Sequence, residues 1–349
     1  MTRHPQLATD APGTPHPVST CSWCARHLIV ATVEQLRCWL CPNPACYQRQ
    51  IDVAIFVEYS AKRAKDFGLP KAGRYCFHVP LPSQVPIYEL GSKGGVIVWG
   101  ARKGPGKSLG CRRWLYWRSI MVPGHEALLL RENWDQLIDQ HTRHMTYEVP
   151  LLGGRWMEGD KRAVFGKGSD ESVITCGHMS EASSITRYQG GNKGAIVADE
   201  GSLYPVDAMG ASVLSELRSV ARWVGTDRNG KTVYPVMAVP TNPGGPSADY
   251  LRQMAIDKTP DYDMFPRLRP VYDETGAITE GYDPSRWVYL DAKIEDNPYL
   301  PPTYRQENLT GLSEVRYKQF AEADWWSFEG MFLPMWRADI HVRQAVWAA

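Results

Sequence analysis

Short apolar runs alternate along the chain with longer stretches that have the period of an amphipathic helix. Residues 96–99, 127–130 and 195–198 form runs without polar interruption, which is typical of strands buried on both faces of a parallel sheet. Helix-period patterns follow the first two runs, at 107–120 and 134–145. Because parallel strands need a crossover connection, this alternation predicts an α/β fold with a central, mainly parallel sheet flanked by helices.

The segments around this core give less regular patterns. Residues 48–67 combine apolar and charged positions in a way that favours an amphipathic helix. Residues 165–170 predict a hairpin turn, with 172–177 as its return strand. Residues 1–20 contain four prolines and few apolar side chains, so we expect a disordered tail.

A glycine-rich turn joins the apolar run at 96–99 to the helix pattern that follows it. Residues 101–108 fit a phosphate-binding P-loop with Ala in place of its first glycine. Its two glycines let backbone N–H groups approach phosphate oxygens, and the helix N-terminus adds a positive dipole. Lys107 can reach the β- and γ-phosphates, and the Ser108 hydroxyl can hold Mg²⁺. The predicted nucleotide contacts are Ala101, Lys103, Gly104, Pro105, Gly106, Lys107, Ser108 and Leu109.

Two residues upstream of the P-loop are candidates for contacting the base. Gln84 and Tyr88 lie just before the apolar run that leads to the loop. An amide and an aromatic ring at this position can frame an adenine ring. The sequence is equally compatible with a segment that packs on the domain edge and does not contact a base.

Two adjacent carboxylates, Asp199 and Glu200, end the apolar run at 195–198. With a P-loop upstream, this arrangement is a Walker B pattern. Asp199 can hold the water shell of Mg²⁺, and Glu200 can orient and polarise the attacking water. Since successive strand residues point to opposite sides, we expect the two carboxylates to have different roles.

A further buried run, at 233–239, ends in the polar residues Thr241 and Asn242. Nucleotides bind at the carboxyl ends of parallel strands, so these side chains are placed to sense the γ-phosphate. At least one strand unit separates Walker B from the P-loop along the chain. We interpret it as an extra strand between the two, the architecture of motor-type P-loop NTPases of the ASCE class.

The N-terminal region contains two groups of cysteines whose spacing suits tetrahedral Zn²⁺. The first group is a C-x2-C pair, and the second is C-x2-C-x4-C. We predict one structural zinc ion held by Cys21, Cys24, Cys41 and Cys46. Cys38 is the competing ligand from the second group, and His27 is a weaker candidate for the fourth position. Reduced cysteines packed in a small core are the alternative to a metal site.

Composition narrows the functional classes. The net charge is +1, with 22% charged and 43% hydrophobic residues, which are ordinary globular values. No global basic field indicates nucleic-acid binding, so any polyanion contact must come from local patches. No apolar run reaches transmembrane length and no signal sequence is recognisable, so we expect a soluble protein that is not exported and does not contact a membrane.

These motifs, in this order, resemble the ATPase domain of the large terminase subunits of tailed phages. The resemblance covers roughly residues 80–336. It rests on the P-loop, on 128–131, on 186–190, on the Walker B pair and on 241–245. Two C-terminal motifs, at 296–300 and 324–332, are specific to that family.

The resemblance implies an ATP-hydrolysing motor that moves double-stranded DNA into a viral procapsid. ATP with Mg²⁺ is the implied ligand, and the host cytoplasm is the implied location. Duplex DNA, a portal protein and a small terminase subunit are the implied partners. The subunits would form a ring when assembled, and the isolated chain would be a monomer.

The resemblance also assigns roles to individual residues. Lys107, Ser108, Asp199 and Glu200 would serve nucleotide binding and hydrolysis, and Thr241 and Asn242 would couple hydrolysis to movement. Arg102 matches the family's basic P-loop position. Arg187 matches an arginine finger offered to the neighbouring subunit, with a surface arginine as the alternative. Arg131 is expected to be structural.

The predicted organisation is a tail over 1–20, a Cys-rich region over 21–75, an ATPase domain over 76–336 and a terminal tail over 337–349. Because the family's nuclease domain has no room before Ala349, we expect no nuclease activity in this chain. One alternative is a helicase-like or other nucleic-acid-translocating P-loop ATPase. Another is a zinc-dependent interaction module beside a nucleotide switch, against which Glu200 argues, because a switch needs no water-polarising carboxylate.

Overall fold

An eight-stranded sheet forms the centre of the structure, a computed structural model that describes residues 10–61, 72–257 and 287–328. Its strands in spatial order are β15 (Trp287–Ala292), β6 (Gly95–Ala101), β14 (Val236–Thr241), β11 (Ala195–Asp199), β7 (Glu126–Arg131), β10 (Ser172–His178), β9 (Arg162–Phe165) and β8 (Arg155–Met157). The first six are parallel to their neighbours, and the last two extend one edge by antiparallel pairing. The predicted fold class is confirmed. A strand does lie between β6 and β11, but it is β14, which follows Walker B in the chain, whereas β7, the first strand between the two motifs in sequence, lies on the other side of β11.

Helices cover both faces of this sheet. The helices of the described residues are α1 (Pro44–Asp52), α2 (Val85–Gly91), α3 (Lys107–Met121), α4 (Trp134–Leu137), α5 (Arg143–Leu151), α6 (Val213–Arg218), α7 (Ala248–Leu251), α8 (Tyr304–Leu309) and α9 (Glu314–Tyr317). Of these, α2 to α5 pack on one face of the sheet, and α6 and α7 pack on the other. Single π-helical turns extend α4, α7 and α9, at Ile138–Thr142, Arg252–Ile256 and Lys318–Glu322. Within the described residues, none of the helices has the length and apolar character needed to cross a bilayer.

Alternation along the central strands divides the core into two layers. In β6, Ile97 and Trp99 pack with Trp114 of α3 on one face of the sheet. Val96 and Val98 pack on the other face, with Leu214 of α6. Because both faces are covered, the strands read as continuous apolar runs in the sequence. The run at 233–239 enters the central sheet only at Val236, since Thr232–Val233 forms β13 and pairs with β12 (Gly225–Thr226).

Two predictions about the N-terminal third are wrong. The helix expected over 48–67 ends at Asp52, and β4 (Ile55–Tyr59) follows, paired with β5 (Gly73–His78). Residues 55–59 have apolar side chains at every second position, which is the period of a strand and not of a helix. These alternate residues of β4 are buried against the main core. The disordered tail expected over 1–20 includes β1 (Pro15–Thr20). Residues 1–9 and 62–71 lie outside the described residues, and the predicted domain boundary at residue 75 falls within β5.

The Cys-rich module consists of β1, β2 (His27–Val33), β3 (Leu36–Leu40) and α1. The three strands form an antiparallel sheet. Asn43 caps α1 by accepting a hydrogen bond from the Ala45 N–H, and Pro44 occupies the first helical position. The module's core contains Leu28, Val30, Trp39 and three of the predicted zinc ligands.

A buried charge cluster joins α3 to α5. Arg112 and Arg113 donate hydrogen bonds of 2.9 and 2.7 Å to the Glu148 carboxylate, and the Tyr116 hydroxyl donates a third at 2.8 Å. Burial alone would raise the pKa of Glu148, but the charges of Arg113 and Arg112 outweigh it and lower that pKa to about 2.

We expect Glu148→Gln to destabilise the protein by about 3–5 kcal/mol, because two buried guanidinium groups would lose their counter-charge. The lowered pKa means that the wild type holds this contribution above about pH 4.5 and loses it as the pH falls toward about 2. Urea unfolding at several pH values measures both effects. Glu158→Gln, at an exposed site, is the control, and equal unfolding free energies for the two variants would contradict the prediction.

Candidate nucleotide-binding site and cysteine cluster

A cavity of about 630 Å³ opens at the carboxyl ends of the central strands. The P-loop from Lys103 to Leu109 forms one wall, and Arg131 and Glu200, from the ends of β7 and β11, form another. Arg316 and Phe320 approach from the C-terminal segment. Seven of the eight predicted P-loop contacts therefore line the cavity, while Ala101 is the last residue of β6.

The P-loop adopts the conformation that its glycines predict. Gly104 and Gly106 have φ of 106° and 83°, in the region that favours glycine, and α3 begins at the next residue, Lys107. A Cβ at Gly104 would lie 2.8 Å from the Tyr304 ring, so its hydrogen side chain is also needed for packing. The Lys107 ammonium donates to the Arg102 carbonyl at 2.7 Å and to Asn242 Oδ1 at 2.9 Å. Burial lowers the pKa of Lys107.

Asp199 is buried at the tip of β11 and fully hydrogen-bonded. Its Oδ1 accepts from the Ser108 hydroxyl at 3.0 Å. Its Oδ2 accepts from Arg131 Nη1 at 2.7 Å and from His141 Nε2 at 2.9 Å. Burial would raise the pKa of Asp199, but the hydrogen bond from His141 and the charge of Arg131 hold it below its ordinary value. A hydroxyl and an ionised carboxylate at this separation fit a Mg²⁺ site.

Glu200 takes a different environment from its neighbour, because it lies beyond the end of β11 and not on the strand itself. It has a φ of 54°, and its N–H donates to the Pro240 carbonyl at 2.7 Å, which turns its side chain into the cavity wall. Burial, followed by the charge of Asp199, raises the pKa of Glu200. Its carboxylate accepts from Asn242 Nδ2 at 3.2 Å.

Asn242 connects the P-loop to Walker B. Its amide accepts from Lys107 and donates to Glu200, so one side chain contacts a phosphate-binding group and a water-activating group. Thr241 holds the backbone at Asn242 in place. Its hydroxyl donates to the Asn242 carbonyl at 3.2 Å and accepts from the Ser202 N–H at 3.0 Å. The structure thus brings both predicted coupling residues to the site.

The structure does not bring Tyr88 to the cavity. Tyr88 is 2% exposed and packs edge-to-face on Trp117 at 5.3 Å, because α2 is buried on nearly all sides. Gln84 is also buried, and its amide donates to the Gly106 carbonyl at 3.2 Å. Gln84 therefore contacts the P-loop backbone and does not line the cavity.

The two predicted catalytic arginines lie outside the cavity wall. Arg102 forms an ion pair with Asp291, in which Arg102 Nη1 lies 2.9 and 3.0 Å from the two carboxylate oxygens. Arg187 is exposed at the end of a 3₁₀ turn (Ala182–Arg187), where its guanidinium lies 3.4 Å from His178 Nε2. An exposed position is compatible with a role toward a neighbouring subunit.

Sequence reasoning missed the side chains that hold Walker B. Arg131 was expected to be structural, yet its guanidinium lines the cavity and pairs with Asp199. β7 lies beside β11 with Arg131 opposite Asp199, and that strand order is not readable from one sequence. His141 reaches Asp199 from a π-helical turn, and a single His on an amphipathic helix gives no signal of such a contact.

The predicted zinc ligands form a compact cluster. The ligand atoms of Cys21, Cys24, Cys41 and Cys46 all lie within 4.8 Å of one another. Cys38 lies apart, since its thiol donates to the Ala31 carbonyl at 3.8 Å and packs in a different part of the core. The His27 ring contacts the His16 carbonyl instead. Four convergent thiols fit a closed tetrahedral zinc site.

We expect the purified chain to carry about one zinc ion, and Cys41→Ser to lose it, because three thiolates do not complete a structural site. Metal analysis measures the zinc content, and thermal unfolding follows the module and the ATPase core. Cys38→Ser is the matched control and should retain the ion. Absence of zinc in wild-type protein purified without chelator would refute the metal site, and zinc retained by Cys41→Ser but lost by Cys38→Ser would reassign the ligand.

Comparison with known proteins identifies the fold. The sequence matches no protein-family model and no curated protein. Among solved structures, it is similar to the large terminase of a thermophilic bacteriophage in complex with ADP, with a TM-score of 0.51, 15% identity, and coverage of 77% of this chain and 60% of that one. The ATPase domain of a Thermus phage large terminase aligns with a TM-score of 0.45, 13% identity, and coverage of 77% and 99%.

The first of these similarities shows the fold, which is that of the matched part of a phage large terminase, as the motifs led us to expect. The chain spans about 60% of the length of that terminase.

Proposed function

We propose that this chain is the ATP-hydrolysing motor of a viral DNA-packaging terminase. The observation that carries the proposal is the convergence of Lys107, Ser108 and Glu200 on one cavity at the carboxyl ends of parallel strands, with Asp199 accepting a hydrogen bond from Ser108 at 3.0 Å. A phosphate-binding loop, a metal-binding pair and a water-activating carboxylate are the parts that phosphoryl transfer needs. A nucleotide switch would not need Glu200.

The position of each side chain supports a role for it in ATP hydrolysis. The N–H groups at the start of α3 and the Lys107 ammonium bind the β- and γ-phosphates. Ser108 and Asp199 would hold Mg²⁺, which supplies positive charge to the phosphate oxygens. Glu200 accepts a proton from the attacking water, whose oxygen bonds to the γ-phosphorus as the bond to the bridging ADP oxygen breaks. ADP and inorganic phosphate are the products.

Asn242 is placed to report the state of the γ-phosphate. Lys107 donates to the Asn242 amide, which donates to Glu200, so a shift of the ammonium toward a bound phosphate would be passed to Glu200 through this amide. Thr241 and Asn242 belong to the end of β14 and the turn after it, which would transmit that change. This supports their role in coupling hydrolysis to movement.

The proposed motor acts on double-stranded DNA through phosphate contacts, without reading bases. Its proposed partners are a portal protein, a small terminase subunit and further copies of the chain in a ring, and its place is the host cytoplasm during assembly. The terminase ATPase fold supports this assignment. Mg²⁺ and one structural Zn²⁺ are the proposed metals.

A triplex-displacement assay, in which a third DNA strand is bound to a linear duplex, distinguishes a duplex-translocating motor from a helicase. At concentrations where the chain assembles, we expect ATP-dependent displacement of the third strand with the duplex strands still paired. Separation of the duplex strands would favour the helicase-like alternative. ATP hydrolysis without either event would count against translocation on DNA.

A further inference from the structure

Two side-chain amides hold the carbonyl groups of the P-loop glycines. Asn297 Nδ2 donates to the Gly104 carbonyl at 2.8 Å, and Gln84 Nε2 donates to the Gly106 carbonyl at 3.2 Å. Both carbonyl groups are thereby held by groups other than the nucleotide. The Gly106 carbonyl also accepts the Gly110 N–H of α3 at 2.9 Å. Since a carbonyl oxygen turned toward a phosphate would repel it, the two amide contacts add to the hydrogen bonds that keep the loop in its anion-binding conformation.

The first amide is fixed by the Cys-rich module. Asn297 Oδ1 accepts from the Tyr299 N–H at 3.2 Å. The Tyr299 side chain packs against the cluster that contains the zinc ligands, and its hydroxyl hydrogen-bonds to the Trp39 backbone of β3. Residues 297–299 therefore link the module directly to Gly104.

The second amide is fixed by the same module along a different route. The Cys41 N–H donates to Gln50 Oε1 at 3.0 Å, and Gln50 Nε2 donates to the Pro80 carbonyl at 2.9 Å. The next residue, Leu81, donates its N–H to Gln84 Oε1 at 3.0 Å. Gln50 is fully buried and Gln84 is 1% exposed, so water does not compete for these bonds. This route starts at a predicted zinc ligand and ends at Gly106.

We propose that the Cys-rich module is a zinc-dependent support for the P-loop, with Asn297, Tyr299, Gln50 and Gln84 as positioning residues. Zinc would fix the loop that carries Cys41 and the core on which Tyr299 packs. The two routes would pass this order to the two P-loop carbonyl groups. Loss of zinc would then weaken nucleotide binding at a site that contains no zinc ligand. The inference rests on the proposed nucleotide-binding function.

The dissociation constant for ADP with Mg²⁺, measured by calorimetry on the full chain, tests the proposal. We expect Tyr299→Ala and Gln50→Leu each to weaken ADP binding about five- to tenfold, the effect of losing one buried hydrogen-bonded support, while zinc content stays unchanged. Removing zinc from the wild type with a chelator should weaken binding by at least as much, and added zinc should restore it. In a Cys41→Ser background, Tyr299→Ala should add little further loss.

The controls separate this support from a general loss of stability. Tyr147→Ala changes another tyrosine, which is 38% exposed and not in either route, and should leave ADP binding unchanged. Tyr299→Phe keeps the ring and loses only the hydroxyl contact, so it should fold and weaken binding by a smaller factor. If the zinc-free protein and both Tyr299 variants bind ADP with wild-type affinity, the module does not support the P-loop. That result would leave the proposed nucleotide-binding function standing. Failure of the zinc-loaded wild type to bind ADP would overturn the proposed function as well.

Discussion

Replacing Glu200 by Gln should preserve ATP binding and reduce turnover by about 10²–10⁴-fold, the usual contribution of a positioned general base. The amide keeps the size of the side chain and can still accept a hydrogen bond from Asn242 Nδ2. Lys107, Ser108 and Asp199 remain in place to hold the phosphates and the metal ion. What is lost is the carboxylate that accepts a proton from the attacking water.

Single-turnover hydrolysis and ATP binding, measured on the same preparation, separate these two effects. Glu307→Gln is the control, because this glutamate is exposed on α8. The control variant should hydrolyse ATP at the wild-type rate. Hydrolysis by Glu200→Gln at the wild-type rate would show that another group activates the water. A parallel loss of ATP binding would mean that the substitution disturbs the P-loop through Asn242.

Replacing Arg187 by Ala should abolish stimulated turnover, because arginine fingers contribute on the order of 10³–10⁵ in rate. The guanidinium is exposed, makes only a long contact to His178, and does not line the cavity of its own chain. Nucleotide affinity and folding should therefore change little. Arg143→Ala is the control, since this arginine has a side chain 70% exposed in an i,i+4 pair.

Mixing two inactive variants tests whether Arg187 acts on a neighbour. An Arg187→Ala chain has an intact Walker site, and a Glu200→Gln chain has an intact arginine. Under conditions where assembly is shown independently, the mixture should recover part of the ATPase activity. If no mixture recovers activity, Arg187 does not act in trans. Arg102 would then be the better candidate, although it would first have to leave its ion pair with Asp291.

The parts of the site that sequence could predict are those encoded locally. The P-loop is one continuous segment whose glycines and helix start impose its shape, and Walker B needs only one buried strand with two carboxylates at its tip. Asp199 opposite Arg131 depends instead on β7 and β11 being neighbours, which is set by the packing of the whole sheet. The β4 strand was misassigned because five residues of alternation are too few to outweigh a longer helix-like pattern.

The cysteine cluster shows the same division. The spacing favoured Cys21, Cys24, Cys41 and Cys46 but left Cys38 as a competing ligand. The fold of the module separates them, because Cys38 lies on β3 and its thiol donates to the Ala31 carbonyl, apart from the other four. The module's contacts with the P-loop through Asn297 and Tyr299 join segments that are far apart in sequence, and no local pattern encodes them.

The rate of ATP hydrolysis with and without linear duplex DNA tests the central claim most directly. Measured with Mg²⁺ at concentrations where the chain assembles, hydrolysis should be slow in the absence of DNA and should rise when linear duplex is added. It should fall to background in Glu200→Gln under both conditions. A wild-type chain that binds ATP but does not hydrolyse it, with or without duplex DNA, would contradict the account.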